Sequence, residues 1–134
     1  MVNGWAGWDF QRFYLLFVAA AFVLLGLQVF LFHWRAGFSR TSMYLPVLAA
    51  PLLALAAVLA AITREGAIGW IAVVVFAVGI LGGLIGVYEH VRGIGYRIGG
   101  FSPRNLVAGP PPLLPATFAA VALSAGLAVL WGGL

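Results

Sequence analysis

Cysteine and lysine are both missing from this 134-residue chain, which also has only three acidic residues, two histidines and two methionines. Without cysteine there can be no disulfide, no thiolate metal site, no covalently attached c-type haem and no cysteine nucleophile. Two histidines and two methionines leave a metal transporter little to ligate with. Seven arginines carry all of the basic charge, and charged residues make up 7% of the chain against 64% hydrophobic. A soluble domain of this size needs a charged shell, which so few side chains cannot supply. Lipid must therefore solvate much of the surface, and nucleic acid is not an expected partner. The length leaves room for a single domain, residues 1–134.

What the chain does have is four apolar stretches: Phe13–Phe32, Tyr44–Ile62, Ala67–Tyr88 and Leu113–Trp131. A bilayer core about 30 Å thick is crossed by roughly 20 helical residues, so each has spanning length. None contains Asp, Glu, Lys or Arg, and Gln28 is the most polar side chain deep within any of them. The expected fold is all-α: an integral membrane four-helix bundle, antiparallel and up-down, with one long Gly/Pro/Arg-rich loop between its third and fourth helices. The first stretch reads as a retained helix and not as a signal peptide. Asp9 precedes Arg12 where a basic segment would be needed, and no small-residue cleavage site closes the run.

Arginine placement predicts the topology. The segments 33–43 and 89–112 hold Arg35, Arg40, Arg92, Arg97 and Arg104, whereas the other side receives Arg12 and Arg64. Five against two puts both segments in the cytoplasm and both termini outside. Trp5, Trp8, Trp34, Tyr44, Trp70, Tyr88 and Trp131 fall at or just beyond the span limits, where amphipathic rings anchor at headgroup depth.

Helices associate in lipid through small residues that let backbones approach. The third span offers Gly79 with Gly83 and Gly82 with Gly86, two GxxxG pairs. The second offers Ala50, Ala54, Ala57 and Ala61, and the fourth Ala120, Ser124 and Ala128. The ordinary use of such faces is packing within one chain. Pro46 falls in the first turn of the second span, while Pro51 lies deeper and predicts a kink.

Residues 89–112 carry the unusual chemistry, with three arginines, Glu89, His90 and many glycines and prolines. Ser102 followed by Pro103 reads as an N-cap and first helical position, predicting a short helix around Pro103–Val107. The prolines beyond Gly109 predict an extended linker on the membrane face, with a re-entrant loop as the alternative. Gly93, Gly95, Gly99 and Gly100 could fold into a nest of N–H groups around a phosphate, although their spacing is not that of a dinucleotide fingerprint. The pattern H-x-x-G at His90 and Gly93, followed by N-L-x-x-G-P-P from Asn105 to Pro111 and by Pro115, resembles small four-span bacterial inner-membrane proteins of no assigned function. The resemblance covers residues 86–131 and implies a bacterial inner membrane without supplying an activity.

Three functional readings follow. Foremost is a non-catalytic accessory or structural subunit that packs against a larger membrane complex or against itself. Its lipid and partner contacts would come from Arg35, Arg40, Arg92, Arg97, Arg104 and Asn105. The alternative is a redox-linked subunit. His33 and His90 end spans that run in the same direction, so with Glu89 they could hold haem b or a quinone near the cytoplasmic surface. The everyday role of Glu89 is an ion pair with Arg92 at helical spacing or with Arg35 across the bundle. A small oligomeric transporter or channel is the third reading, weakened by the lack of any carboxylate within a span. No catalytic set or metal cluster can be assembled, and no cofactor is expected beyond the haem alternative.

Overall fold

The computed structural model describes residues 7–131, and all regular structure among them is helical. Four helices are long and apolar enough to cross a membrane: α1 (Phe10–Arg35), α2 (Tyr44–Ile62), α3 (Gly66–Gly93) and α5 (Leu113–Trp131). A short α4 (Pro103–Ala108) lies between the last two. Large apolar side chains stand exposed along every long helix, among them Leu24, Leu52, Leu81 and Leu123. Water would not tolerate that surface and lipid does, so the chain is a multi-pass membrane protein.

Local chemistry sets the helix ends. Asp9, in extended backbone, caps α1 by accepting from the Arg12 N–H at 3.1 Å. At the other end α1 runs through His33, Trp34 and Arg35, beyond the limit at Phe32 that hydropathy predicts for the first span. A 3₁₀ turn at Thr41–Met43 leads directly into α2, which continues through Pro51 although proline lacks the N–H that Val47 would normally receive. Of the anchoring aromatics, Trp8, Trp34, Tyr44, Trp70, Tyr88 and Trp131 are all exposed, while Trp5 lies outside the described residues.

The largest departure from expectation is the segment 89–112. The helical path of α3 does not stop at Tyr88: it continues to Gly93 and then through a π-helical turn, Ile94–Gly99. No proline interrupts residues 89–99, and Gly99 and Gly100 end the path with φ of +99° and +106°. Gly93 and Gly95 are therefore helical and cannot join a four-glycine nest. The linker shrinks to the chain around α4, which starts where Ser102 and Pro103 predicted and ends at Ala108. Ser102 Oγ accepts from the Asn105 N–H at 3.2 Å, and Asn105 Nδ2 donates to the Gly100 carbonyl at 2.8 Å. Replacing Ser102 by alanine should cost this turn about 1 kcal/mol. Hydrogen exchange should then rise at residues 103–108 and stay unchanged in α2.

Packing runs through small residues. α1 lies most extensively against α2, and α3 against α5; α2 also meets α3, and α1 meets α5. Ala50, Ala54, Ala57 and Ala61 are all buried, and a Cβ on Gly26 would stand 2.7 Å from that of Ala50. On α3, a Cβ at Gly83 would meet the Ala119 backbone nitrogen at 2.8 Å, and one at Gly86 would meet Pro115 at 2.8 Å. Gly79 faces Leu53 and Ala122, whereas Gly82 is exposed with nothing within 4 Å. The contact face is thus Gly79, Gly83 and Gly86. On α5 the buried small residues are Ala119, Ala122, Ala125 and Gly126, not the expected Ala120, Ser124 and Ala128, which sit to the side. Phe22 and Phe118 meet edge to face across the middle, with ring centroids 5.3 Å apart.

Polar contacts sort the helix ends. Arg12, in the first turn of α1, reaches the Ala61 carbonyl in the last turn of α2 at 2.9 Å. At the opposite rim, Arg40 meets Glu89 and His90 meets Pro111, gathering the start of α2, the end of α3 and the start of α5.

Candidate functional site

The rim that holds Arg40 and Glu89 also contains a polar cleft, a space of about 250 Å³ lined by Arg40, Glu89, Arg92, Gly93, Tyr96 and Arg97. It exists because α3 outruns its apolar stretch. One more turn of α3 brings Glu89 and Arg92 onto one face, and the π-helical turn carries Tyr96 and Arg97 on from it. Arg40 comes from the connection ahead of α2, 49 residues away from Glu89 in sequence.

Glu89 bridges two of the arginines without neutralising the cleft. Its Oε2 lies 3.4 Å from Arg40 Nη1 and its Oε1 lies 3.8 Å from Arg92 Nη1. All three side chains are partly solvated, so each pair is worth at most about 1 kcal/mol. One carboxylate against three guanidiniums leaves the cleft with two positive charges in excess. The Arg92 guanidinium sits 5.8 Å from the centre of the Tyr96 ring, within cation–π range. Gly93 keeps the floor open: a Cβ there would stand 3.2 Å from Pro110 and 3.3 Å from Arg97 Nη2. Forked, weakly paired guanidiniums beside an exposed phenol suit a phosphate or another oxyanion, which they can grip with paired hydrogen bonds.

The sequence-predicted residues have separate fates. Arg40, Arg92 and Arg97 come together in the cleft, whereas Arg35 and Arg104 are exposed outside its lining. Asn105 is committed to holding the Gly100 carbonyl. Glu89 turns to Arg40 and Arg92, not to Arg35 and not to the histidines.

Neither histidine lines the cleft. His90 Nδ1 lies 2.8 Å from the Pro111 carbonyl oxygen, and since a carbonyl can only accept, Nδ1 carries the hydrogen. That bond ties the end of α3 to the start of α5. His33 is half-buried, with its ring 6.1 Å from that of Phe38 and its Nδ1 enclosed with no hydrogen-bond partner among the described residues.

Two residues of this rim carry no strong sequence signal. Tyr96 stands four residues beyond Arg92, a helical spacing that matters only once α3 is known to continue. Gly93 belongs to the loop pattern by its spelling and to the floor of the cleft by its contacts. Comparison with protein families, with curated proteins and with solved structures returned no match for this chain.

Proposed function

We propose that this protein is a non-catalytic, multi-pass subunit of a bacterial inner membrane, an antiparallel up-down four-helix bundle whose cytoplasmic arginine rim holds anionic lipid headgroups. In the membrane it packs against other integral membrane proteins or copies of itself. The observation that carries the reading is the cleft, where three arginines from two separate segments line one space and only two of them pair with its single carboxylate. Its position at one end of the long helices suits headgroup phosphates, which lie at that depth. The contacts of Arg12 with Ala61 and of Arg40 with Glu89 support the up-down order of the helices. The arginine excess on segments 33–43 and 89–112 supports placing that rim in the cytoplasm.

Lipid retention tests the cleft. Purified in mild detergent from mixed-lipid membranes, the protein should keep anionic lipid in preference to zwitterionic lipid, as read by native mass spectrometry. Each arginine near a charged membrane surface contributes about 1 kcal/mol. Changing both Arg92 and Arg97 to alanine should therefore lower anionic-lipid occupancy by roughly 30-fold at low salt, and by less at high salt. Equal retention of both lipid classes by the unaltered chain would defeat the reading. The subunit reading has its own check: recovery from the native membrane as a lone monomer would overturn it.

A further inference from the structure

Gln28 is exposed on the outer surface of α1, seven residues before that helix ends at Arg35. At 1.5 Å per residue this places it about 10 Å inside the rim, among lipid chains. A carboxamide brings two N–H donors and an accepting oxygen, all costly to leave unmade in hydrocarbon. Two hydroxyl side chains within the spans solve this on their own helix. Thr117 Oγ1 donates to the Leu113 carbonyl and Ser124 Oγ to the Val121 carbonyl, each at 2.8 Å. Gln28 has no such partner among the described residues, and its side chain is too short to reach headgroup depth.

Gln28 also lies on a seam. Phe17, Ala21, Leu24, Gln28 and Leu31 recur at alternating steps of four and three residues, and all are exposed except the half-buried Ala21. That alternation makes a stripe along which two helices can pack side by side. Exposed stripes of the same spacing run along α2 through Leu48, Leu52 and Leu55 and along α3 through Val74, Val78 and Leu81, but only the one on α1 carries a carboxamide. Two copies inserted by the same rule stand parallel in the bilayer, so equivalent residues share one depth. Gln28 of one copy then faces Gln28 of the other, and a carboxamide is complementary to itself, each N–H₂ meeting the other's carbonyl.

We infer that a second copy of this chain covers the outer face of α1, with the two Gln28 side chains hydrogen-bonded across a twofold axis perpendicular to the membrane. This rests on the reading of the chain as an associating membrane subunit, and it names the partner and the face. It is independent of the arginine cleft.

The natural absence of cysteine makes the test clean, because one introduced thiol reports alone. In native membranes under mild oxidation, Leu24→Cys and Leu31→Cys should each give a disulfide-linked dimer, while Val78→Cys, exposed on α3, should not. Gln28→Leu keeps the seam apolar and should weaken dimerisation about tenfold in a dilution series read by energy transfer. Helix content and anionic-lipid retention should stay unchanged, so loss of the dimer alone leaves the lipid reading standing. Four results would each overturn the proposal: equal cross-linking from Val78→Cys, no dimer from the α1 positions, a dimer indifferent to Gln28→Leu, or a different protein cross-linked at Leu24→Cys or Leu31→Cys.

Discussion

Replacing Gly83 by leucine should unfold the α3–α5 contact at a cost of about 3 kcal/mol, while the same change at Gly82, one residue away, should cost nothing. At Gly83 the new Cβ would stand 2.8 Å from the Ala119 nitrogen and 2.9 Å from its Cα. Those are backbone atoms, which cannot rotate aside as a side chain can. α5 must move out as a body, and the contacts of Gly79 with Ala122 and of Gly86 with Pro115 open with it. The edge-to-face pair of Phe22 and Phe118 loosens too, since Phe118 travels on the displaced helix. At Gly82 nothing lies within 4 Å, and leucine has the better helix propensity by somewhat under 1 kcal/mol. Reversible unfolding in mixed micelles, followed by far-UV circular dichroism, separates the two variants. Equal losses at both positions would mean that α3 presents another face to α5.

That contrast shows where sequence stops being informative. Span limits were legible because hydropathy reports lipid contact directly: α2 and α5 begin and end where their apolar stretches do. It reports less about helix length. α1 and α3 both continue into polar residues; in α3 no proline interrupts the path, which ends only where Gly99 and Gly100 adopt positive φ. Faces are harder still. A membrane helix is apolar all round, so the amphipathic periodicity that orients a helix in a soluble protein is missing. Two GxxxG pairs could be found, but not that Gly82 looks outward; an alanine stripe on α5 could be found, but one position off the true one. The Arg40–Glu89 pair joins residues 49 apart in sequence, so no local spacing announces it. The rim itself was foreseeable as the place where arginines gather, whereas its cleft depends on the unforeseen length of α3.

Replacing Arg12 by leucine should destabilise the protein by about 2–3 kcal/mol, although Arg12 touches neither the cleft nor the α1 seam. Sequence places Arg12 as one of two positive charges on the sparse side. The structure buries it, at 7% exposure. Its Nε donates to the Ala61 carbonyl at 2.9 Å, its Nη1 donates to the Gly7 carbonyl at 3.0 Å, and its guanidinium lies 4.1 Å from the centre of the Trp8 ring. Helix ends leave carbonyls without intrahelical partners, and Ala61 is one of them. The residue four ahead, Glu65, gives its N–H to Thr63 Oγ1 instead. Arg12 thus satisfies the end of α2 from the start of α1, a bond worth more than an average one because the donor is charged. Leucine would restore the apolar volume but leave the Ala61 carbonyl without that donor. Lysine would recover only part of the loss, since one ammonium cannot reproduce two fixed N–H directions and the stacking on Trp8. Salt distinguishes this staple from the cleft. Raising ionic strength should weaken anionic-lipid retention at Arg92 and Arg97, which are solvated, and leave the stability difference at Arg12 nearly unchanged, because counterions do not enter a buried contact. A stability loss in Arg12→Leu that fades at high salt would return Arg12 to the headgroups and leave α1 and α2 joined by packing alone.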